Sequence, residues 1–522
     1  MRKSTLWRAF GSWTHLPPAV SCCLVAAFVS TRAFAAEPTN PDAQPSTEEP
    51  QAEQRSPAAP AAEVAAPPAP IVAPVAKPKV GDISTSGYFR AGFGANLHEK
   101  GRQTCFQLNL GGLLSKYRLG NECEVWAEFE LKTVVYAGED GVVGNLHFMP
   151  AAYIPTTYVG YSPTGVTSSD LGSGGTGATV AFPNLYVDLK GISWLYGGTP
   201  WLGTRYYKRE SIYISDFFYW NPSGVGAGIE DVSLGKIWQS APDVVRDLTF
   251  SYGVFAVDGQ PVAGSPALPS QIDLGLRNDF QLRGIRPYES GELQIGFQYI
   301  KDWSNDYSTQ IDPVTNQESK VSNTHSGWGI TVRHVQKLLG GDNKLAFQYG
   351  VGGGTGFGTL SRFYYPDFSL RYNPDSEWRL RALDVLTIQP TSWLGLQANV
   401  VFQRDKNKSP SAGDWWSAGT RVSVAFTEHT KVLGEVGHDR LIAGNSTGNR
   451  QMTKFTGALA LAGAKGFWGR PELRAFFTWA VWDKNAATAN VDSGQVYTNP
   501  DPDTGVFKLS GSTLGLQAEA IW

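Results

Sequence analysis

The residues best equipped for chemistry lie in one run, Lys116 to Thr133 (KYRLGNECEVWAEFELKT). Taken two at a time, Arg118, Gly120, Glu122, Glu124, Trp126, Glu128, Glu130 and Lys132 fall on one side. Leu119, Asn121, Cys123, Val125, Ala127, Phe129 and Leu131 fall on the other. A strand sends alternate side chains to opposite faces, so from Val125 onward the run reads as a strand with a charged and an apolar face. Trp126 is the odd member. On a solvent-exposed sheet a large ring among charges has no evident job, whereas on the wall of a water-filled pore it is a flat surface for something passing. Tyr88 repeats the arrangement, sharing a face with Arg90 and Gly92 and opposed by Phe89, Ala91 and Phe93. This is the chemistry of binding rather than of bond making.

Motifs for catalysis fail on their context. Gly444-Asn445-Ser446-Thr447-Gly448 spells G-x-S-x-G, but a nucleophile elbow needs a strand before it and a helix after it, and this is a polar turn. Gly224, Gly226 and Gly228, and the run Gly352 to Gly358, lack the following helix that a phosphate cradle requires, and read as tight backbone at loops. The 7 His include no H-E-x-x-H pair. No catalytic residue, metal or cofactor is therefore expected.

The elements that must position the binding face follow from the whole chain. It has 522 residues, 17% charged and 12% aromatic, with 58 Gly and a net charge of −3. Abundant Gly and aromatics with little Met or Cys suit many strands joined by turns. Neither the charge balance nor any basic run favours nucleic acid. Residues 1–35 read as a secretory leader, with Arg2, Lys3 and Arg8 before an apolar core and Ala33-Phe34-Ala35 as the cleavage site. A lipidated Cys22 is the alternative, with Ala19 a poor fit to that motif. Residues 36–82 form a Pro/Ala-rich segment, read as an extended, semi-stiff periplasmic linker: either a tether to the cell wall or a partner, or a plain spacer. Beyond the leader only Cys105 and Cys123 remain. In an oxidising compartment they most simply form one disulfide, worth roughly 3 kcal/mol; two free, buried thiols are the other reading.

After the leader no segment has the 18 or so consecutive apolar residues of a membrane helix. Alternating runs begin at Ile83, and further strands are expected over 246–256, 292–302, 327–335, 344–350, 393–403, 419–426, 430–437, 454–462, 472–482 and 512–522. Turn-rich segments separate them, at 162–178, 305–323, 405–414 and 485–504. Short connections alternating with long ones describe an all-β, transmembrane antiparallel barrel of the bacterial outer membrane, whose alternating strands escape hydropathy. The expected domains are thus a leader at 1–35, a linker at 36–82 and a barrel at 83–522.

Two blocks carry a resemblance: SKYRLGNECE at Ser115 to Glu124 and TRYYKRESIYISDFFYWNPSGVGAGIEDV at Thr204 to Val232. Both closely resemble the maltoporin family of sugar-specific outer-membrane porins. Weaker matches continue through Trp415-Trp416, Thr427 to Gly437, Gly466 to Phe477 and the C-terminal strand. The resemblance implies an 18-stranded barrel in a homotrimer, a third loop folded into the channel, and an aromatic slide flanked by hydrogen-bonding charges. By position, Tyr88, Trp126 and Trp468 resemble rungs of the slide; Trp468 shares parity with Arg470, Glu472 and Arg474. Arg90, Arg118, Glu128, Arg209 and Asp216 resemble the polar track, with Phe218 at the constriction. The structural alternatives are an interfacial aromatic for each ring and an ordinary wall charge for each ion.

Departures from the family pattern bear on the substrate. Ile521 and Asp342 stand where aromatics are usual; Ser211, Phe218 and Asn221 replace an acid, a Tyr and another acid; Ala181 replaces an Arg beside Asn184. The outer loop that lends a Trp to a neighbouring subunit offers only Tyr153, Tyr158 and Tyr161. A shorter slide and a less charged throat point away from long maltodextrins and toward a smaller or different saccharide. The rival readings are a general diffusion porin on the same scaffold, an outer-membrane hydrolase, which lacks its Ser/His set, and a wall-anchoring protein working through the linker.

Overall fold

The computed structural model describes residues 77–98, 101–108, 115–155, 179–238, 240–258, 274–302, 307–311, 318–322, 326–357, 378–406, 413–443, 448–489, 496–497, 500–501 and 503–522. The expected leader, and the expected linker up to residue 76, lie outside these residues. So do Tyr158, Tyr161, the expected loop at 162–178 and most of the Gly444 to Gly448 motif.

Strands form where β-branched and aromatic residues alternate with polar ones, and the pattern holds almost around the sheet. They are β1 (Ile83–Asn96), β2 (Glu124–Ala137), β3 (Val143–Pro155), β4 (Thr179–Lys190), β5 (Thr199–Arg205) and β6 (Gly224–Ser233). Then come β7 (Thr249–Asp258), β8 (Leu274–Tyr288), β9 (Gly291–Asp302), β10 (Gly327–Leu338), β11 (Gly341–Gly352) and β12 (Trp378–Ile388). The last are β13 (Leu394–Lys406), β14 (Gly413–Ala425), β15 (Thr430–Ala443), β16 (Arg450–Ala462), β17 (Glu472–Trp482) and β18 (Ser510–Ile521). Each pairs antiparallel with the next, and β18 returns to β1 with Tyr88 opposite Ile521. Among the described residues these eighteen strands, with a two-residue strand at Gly101–Arg102, make one closed sheet. Closure removes the unpaired edges that hydrocarbon would not tolerate.

The two faces sort by polarity. Phe93, Phe129, Leu459, Leu461, Leu514 and Leu516 point outward and are exposed. Inward positions such as Arg277, Gln298, Arg333, Arg381, Arg421 and Arg474 are buried. Burial on the inside of a barrel this wide needs something to fill it, and two loops do so.

The first loop, between β1 and β2, brings its described residues 115–123 into the lumen. Its Leu119 and Gly120 amides donate to Glu435 Oε1 (2.9 Å) and Gln517 Oε1 (3.2 Å) on the wall. Tyr117 lies against Gly419 and Gly437: a Cβ at either position would come within 2.0 or 2.2 Å of its ring, so only glycine leaves room. Cys105 and Cys123 are joined by a disulfide that ties the loop's two limbs. The third loop (206–223) crosses the lumen as a small hairpin, Glu210–Ile212 paired with Phe217–Trp220. The two loops meet through backbone bonds, Lys116 N to Ser215 O (2.8 Å) and Arg118 N to Ile214 O (2.9 Å).

Several expectations are corrected here. The strand around Trp126 begins at Glu124, one residue before the expected Val125, and Arg118 and Glu122, which share its parity, reach the lumen from the loop ahead of it. Gly224, Gly226 and Gly228 are strand residues of β6, where a Cβ at Gly226 would meet Val254 O at 2.1 Å. The segment read as turn-rich at 305–323 contains a hairpin, Tyr307–Ile311 with Glu318–Ser322. Tyr153 belongs to β3 rather than to a loop.

Candidate functional site

The inner face of β1 and β2 puts rings and charges in alternating register. Tyr88 is opposite Glu128, and Arg90 is opposite Trp126. The Arg90 guanidinium lies 5.9 Å from the Trp126 ring centroid, and the Tyr153 ring on β3 meets the Trp126 ring edge-on, with centroids 6.1 Å apart. Tyr153 is therefore a third inward ring beside the two expected from the sequence.

Arg90 gathers acids from three places: Asp216 Oδ2 in the third loop (2.9 Å), Glu124 Oε1 on β2 (2.8 Å) and Glu122 Oε2 in the first loop (3.5 Å). Lys116 completes the group by bonding Glu122 (2.6 Å) and Glu124 (2.5 Å). Arg118 donates to Glu122 Oε1 (2.7 Å) and to the Tyr88 hydroxyl, and lies 3.2 Å from Glu519. Charges this buried are tolerable only when paired, and here each one is.

A second group sits beside the first. Glu128 accepts from the Tyr206 hydroxyl (2.8 Å), the Arg209 guanidinium lies 3.2 Å from the Tyr206 ring centroid, and Phe218 is 5.1 Å from Arg209. Three of the sequence-predicted residues thus form one line of contacts, Glu128 to Arg209 through Tyr206, which was not expected, and Arg209 on to Phe218. Asn184, beside Ala181, accepts from the Tyr206 amide at 2.7 Å and fixes where that ring starts.

Trp468 lies in the turn between β16 and β17, ahead of Glu472 where β17 begins, so strand parity does not place it. It is 49% exposed, and its ring meets Tyr213 edge-on at 4.8 Å. Its parity neighbours nonetheless gather nearby: Arg470 and Arg474 both bond Glu472 and Glu519. Glu519 is the residue that sequence reasoning missed at most cost. One of its oxygens accepts from Tyr88 (3.0 Å), the other from Tyr213, Arg470 (2.9 Å) and Arg474 (2.6 Å). The alternation of β18, with Gln517 and Glu519 on one face, was the available signal. Tyr213 had none, because its partners, from Arg118 to Glu519, lie far along the chain.

The predicted residues therefore form two contiguous groups and a third around Trp468, with Tyr213 and Glu519 joining the first to the third. Such a surface can offer aromatic planes and both donors and acceptors to a polar solute. Among the described residues no group of His, Cys, Asp and Glu is placed to hold a metal ion. No helix among them is long and apolar enough to cross a membrane, a statement that does not concern strands.

Comparison with known proteins bears on identity. Solved structures similar to this one include OpdK of Pseudomonas aeruginosa, crystallised with vanillate, at 11% identity over 84% of this chain and 99% of that one, TM-score 0.40. OccK8 (OprE) of the same organism is 10% identical over 84% and 98%, TM-score 0.43. OmpT of Vibrio cholerae, in trimer form, is 9% identical over 85% and 100%, TM-score 0.32. A family model described as LamB porin matches residues 83–522, the whole of the closed sheet. The chain belongs to the LamB porin family and is a diffusion channel of the bacterial outer membrane.

Proposed function

We propose that the channel passes saccharides by facilitated diffusion, along a slide formed by Trp126, Tyr88 and Trp468 and a polar track of Arg90, Arg118, Glu128, Arg209 and Asp216. The observation that carries this reading is the placing of inward rings next to paired charges, as at Tyr88 with Glu128 and Trp126 with Arg90. A pyranose has an apolar face that packs on an aromatic plane and a rim of hydroxyls that needs both donors and acceptors. Paired charges suit that rim, since they offer hydrogen bonds without a net field that would trap an ion. Sites of this kind bind weakly and in series, as conduction requires. The working form is a homotrimer embedded in outer-membrane lipid, with residues 1–35 as the leader and 36–82 as a linker that reaches the periplasm or cell wall.

A general, weakly selective porin is the second reading, and specific residues favour it. Ile521 and Asp342 leave the slide without rings at two positions, and Asp342 lies 3.9 Å from Lys344. Liposome swelling separates the two. Saccharide selectivity predicts that a disaccharide enters faster than a polyol of equal or smaller size. Rates that fall with size alone, whatever the solute, would leave the general porin.

A further inference from the structure

The third loop carries a ring for which the expected site has no role. Tyr213 projects from the loop toward the gap between Tyr88 and Trp468. Its hydroxyl donates to Glu519 and accepts from Arg470. The Arg118 guanidinium lies 4.8 Å from its ring centroid, and the Trp468 ring meets it at 4.8 Å with the planes 66° apart. The backbone next to it is held from both sides: Ile214 N donates to Gln397 Oε1 on β13 (3.0 Å), and Ile214 O accepts from Arg118 N (2.9 Å). A residue so placed does not sample the lumen freely.

Phe218, the residue at the constriction by resemblance, is placed differently. Its ring centroid lies 5.1 Å from the Arg209 guanidinium, which in turn sits over the Tyr206 ring that bonds Glu128. Tyr213 instead spans from the loop to a carboxylate on the wall and to a ring in the turn at the β16–β17 end. Because Glu519 also accepts from Tyr88, one carboxylate links two rungs of the slide through the loop ring between them.

We propose that Tyr213 is a specificity-determining residue that sets the limiting cross-section of this channel, with Glu519 and Arg470 as the positioning residues that hold its ring across the slide between Tyr88 and Trp468. A solute following the slide must pass this ring. A single linear sugar chain can do so, and a branched or bulkier one is excluded. The inference rests on the channel reading of the barrel but not on saccharide selectivity, since ions must pass the same ring.

The test is single-channel conductance of the full-length protein in planar bilayers, with swelling rates for a series of linear and branched saccharides. Tyr213→Ala is expected to raise conductance roughly twofold and to admit branched solutes that the unaltered protein excludes. Tyr213→Phe keeps the ring, and its solute limit should stay close to that of the unaltered protein while open-state current noise increases. Phe218→Ala should widen the channel less than Tyr213→Ala. Only folded barrels give channels, so a misfolded variant cannot mimic these results. An unaltered protein that conducts, with Tyr213→Ala leaving both conductance and solute limit unchanged, would overturn the proposal alone. A larger opening from Phe218→Ala than from Tyr213→Ala would overturn it too. An unaltered protein with no conductance at all would remove the channel reading together with the inference.

Discussion

Two walls of the lumen use arginine in opposite ways. On the wall of β9 to β13, arginines hold the third loop. Arg381 donates to Gln403 (2.9 Å), to Gln348 (3.1 Å) and to the Tyr219 carbonyl (3.3 Å). Arg333 donates to the Tyr219 hydroxyl (3.2 Å) and pairs with Glu210, a carboxylate that the loop itself supplies. On the wall of β17 and β18, Arg474 and the neighbouring Arg470 converge on carboxylates of the wall, Glu472 and Glu519, and only next to them, on β1, does an arginine, Arg90, reach the third loop at Asp216. The rings follow suit. Tyr219 and Trp220 on the first side are buried, whereas Trp468 on the second is half exposed. Counting inward aromatics therefore does not locate a slide. What matters is whether the neighbouring cations grip a loop over the ring or pair off beside it.

Four changes would break or sharpen this contrast. The largest effect is expected from Glu519→Gln. Removing one partner from a buried ion network typically costs about 3–5 kcal/mol, because the cations left behind are unpaired. The folded barrel of Glu519→Gln should unfold at a clearly lower temperature on heat-modifiability gels. Replacing Cys105 and Cys123 together by Ser opens the first loop and should cost roughly 3 kcal/mol, read by the same assay, with no new solute admitted if Tyr117 still docks on Gly419.

Arg381→Ala acts on the other wall: the Tyr219 carbonyl keeps its bond from Gln348 (2.9 Å), but the side-chain oxygens of Gln403 and Gln348 lose the guanidinium that donates to them. A buried polar group left unpaired costs about 1–3 kcal/mol, so a noisier open current is expected while saccharide affinity stays within about twofold. Trp468→Ala should reverse that pattern: heat stability close to the unaltered protein, and saccharide affinity lower by about tenfold, or ~1.4 kcal/mol. Equal effects of Arg381→Ala and Trp468→Ala on both readouts would erase the distinction between a gripping wall and a presenting one.

Much of the barrel was legible in the sequence because alternation survives wherever one face meets lipid and the other meets water. β17 is found at its expected bounds, and other strands extend the expected cores by a few residues, as β15 does from Thr430 to Ala443. Legibility failed where the lumen is filled. β12 carries Leu383 and Val385 on its buried inner face with Asp384 between them on the outer one, so the polarity inverts there and the strand does not announce itself. β6 hid behind its glycines, whose close approach to β7 leaves no side chain to read. At the site, Tyr88, Arg90, Trp126 and Glu128 were readable from strand parity. Arg118 and Trp468 were placed by resemblance but sit on a loop and a turn, where parity has no meaning. Tyr213 and Tyr206 were invisible, since their roles come from contacts across the lumen rather than along the chain.

The central claim is that the rings on the β1–β2 and β17–β18 side bind a sugar in transit. Single-channel current under titration with maltose, sucrose and longer glucans tests it most directly. Saturable block by one sugar class, weakened in Trp126→Ala and more so in Trp468→Ala, is the predicted result. Steady current at millimolar levels of every sugar, while salt still flows, would contradict it and leave the rings as wall furniture of a general porin.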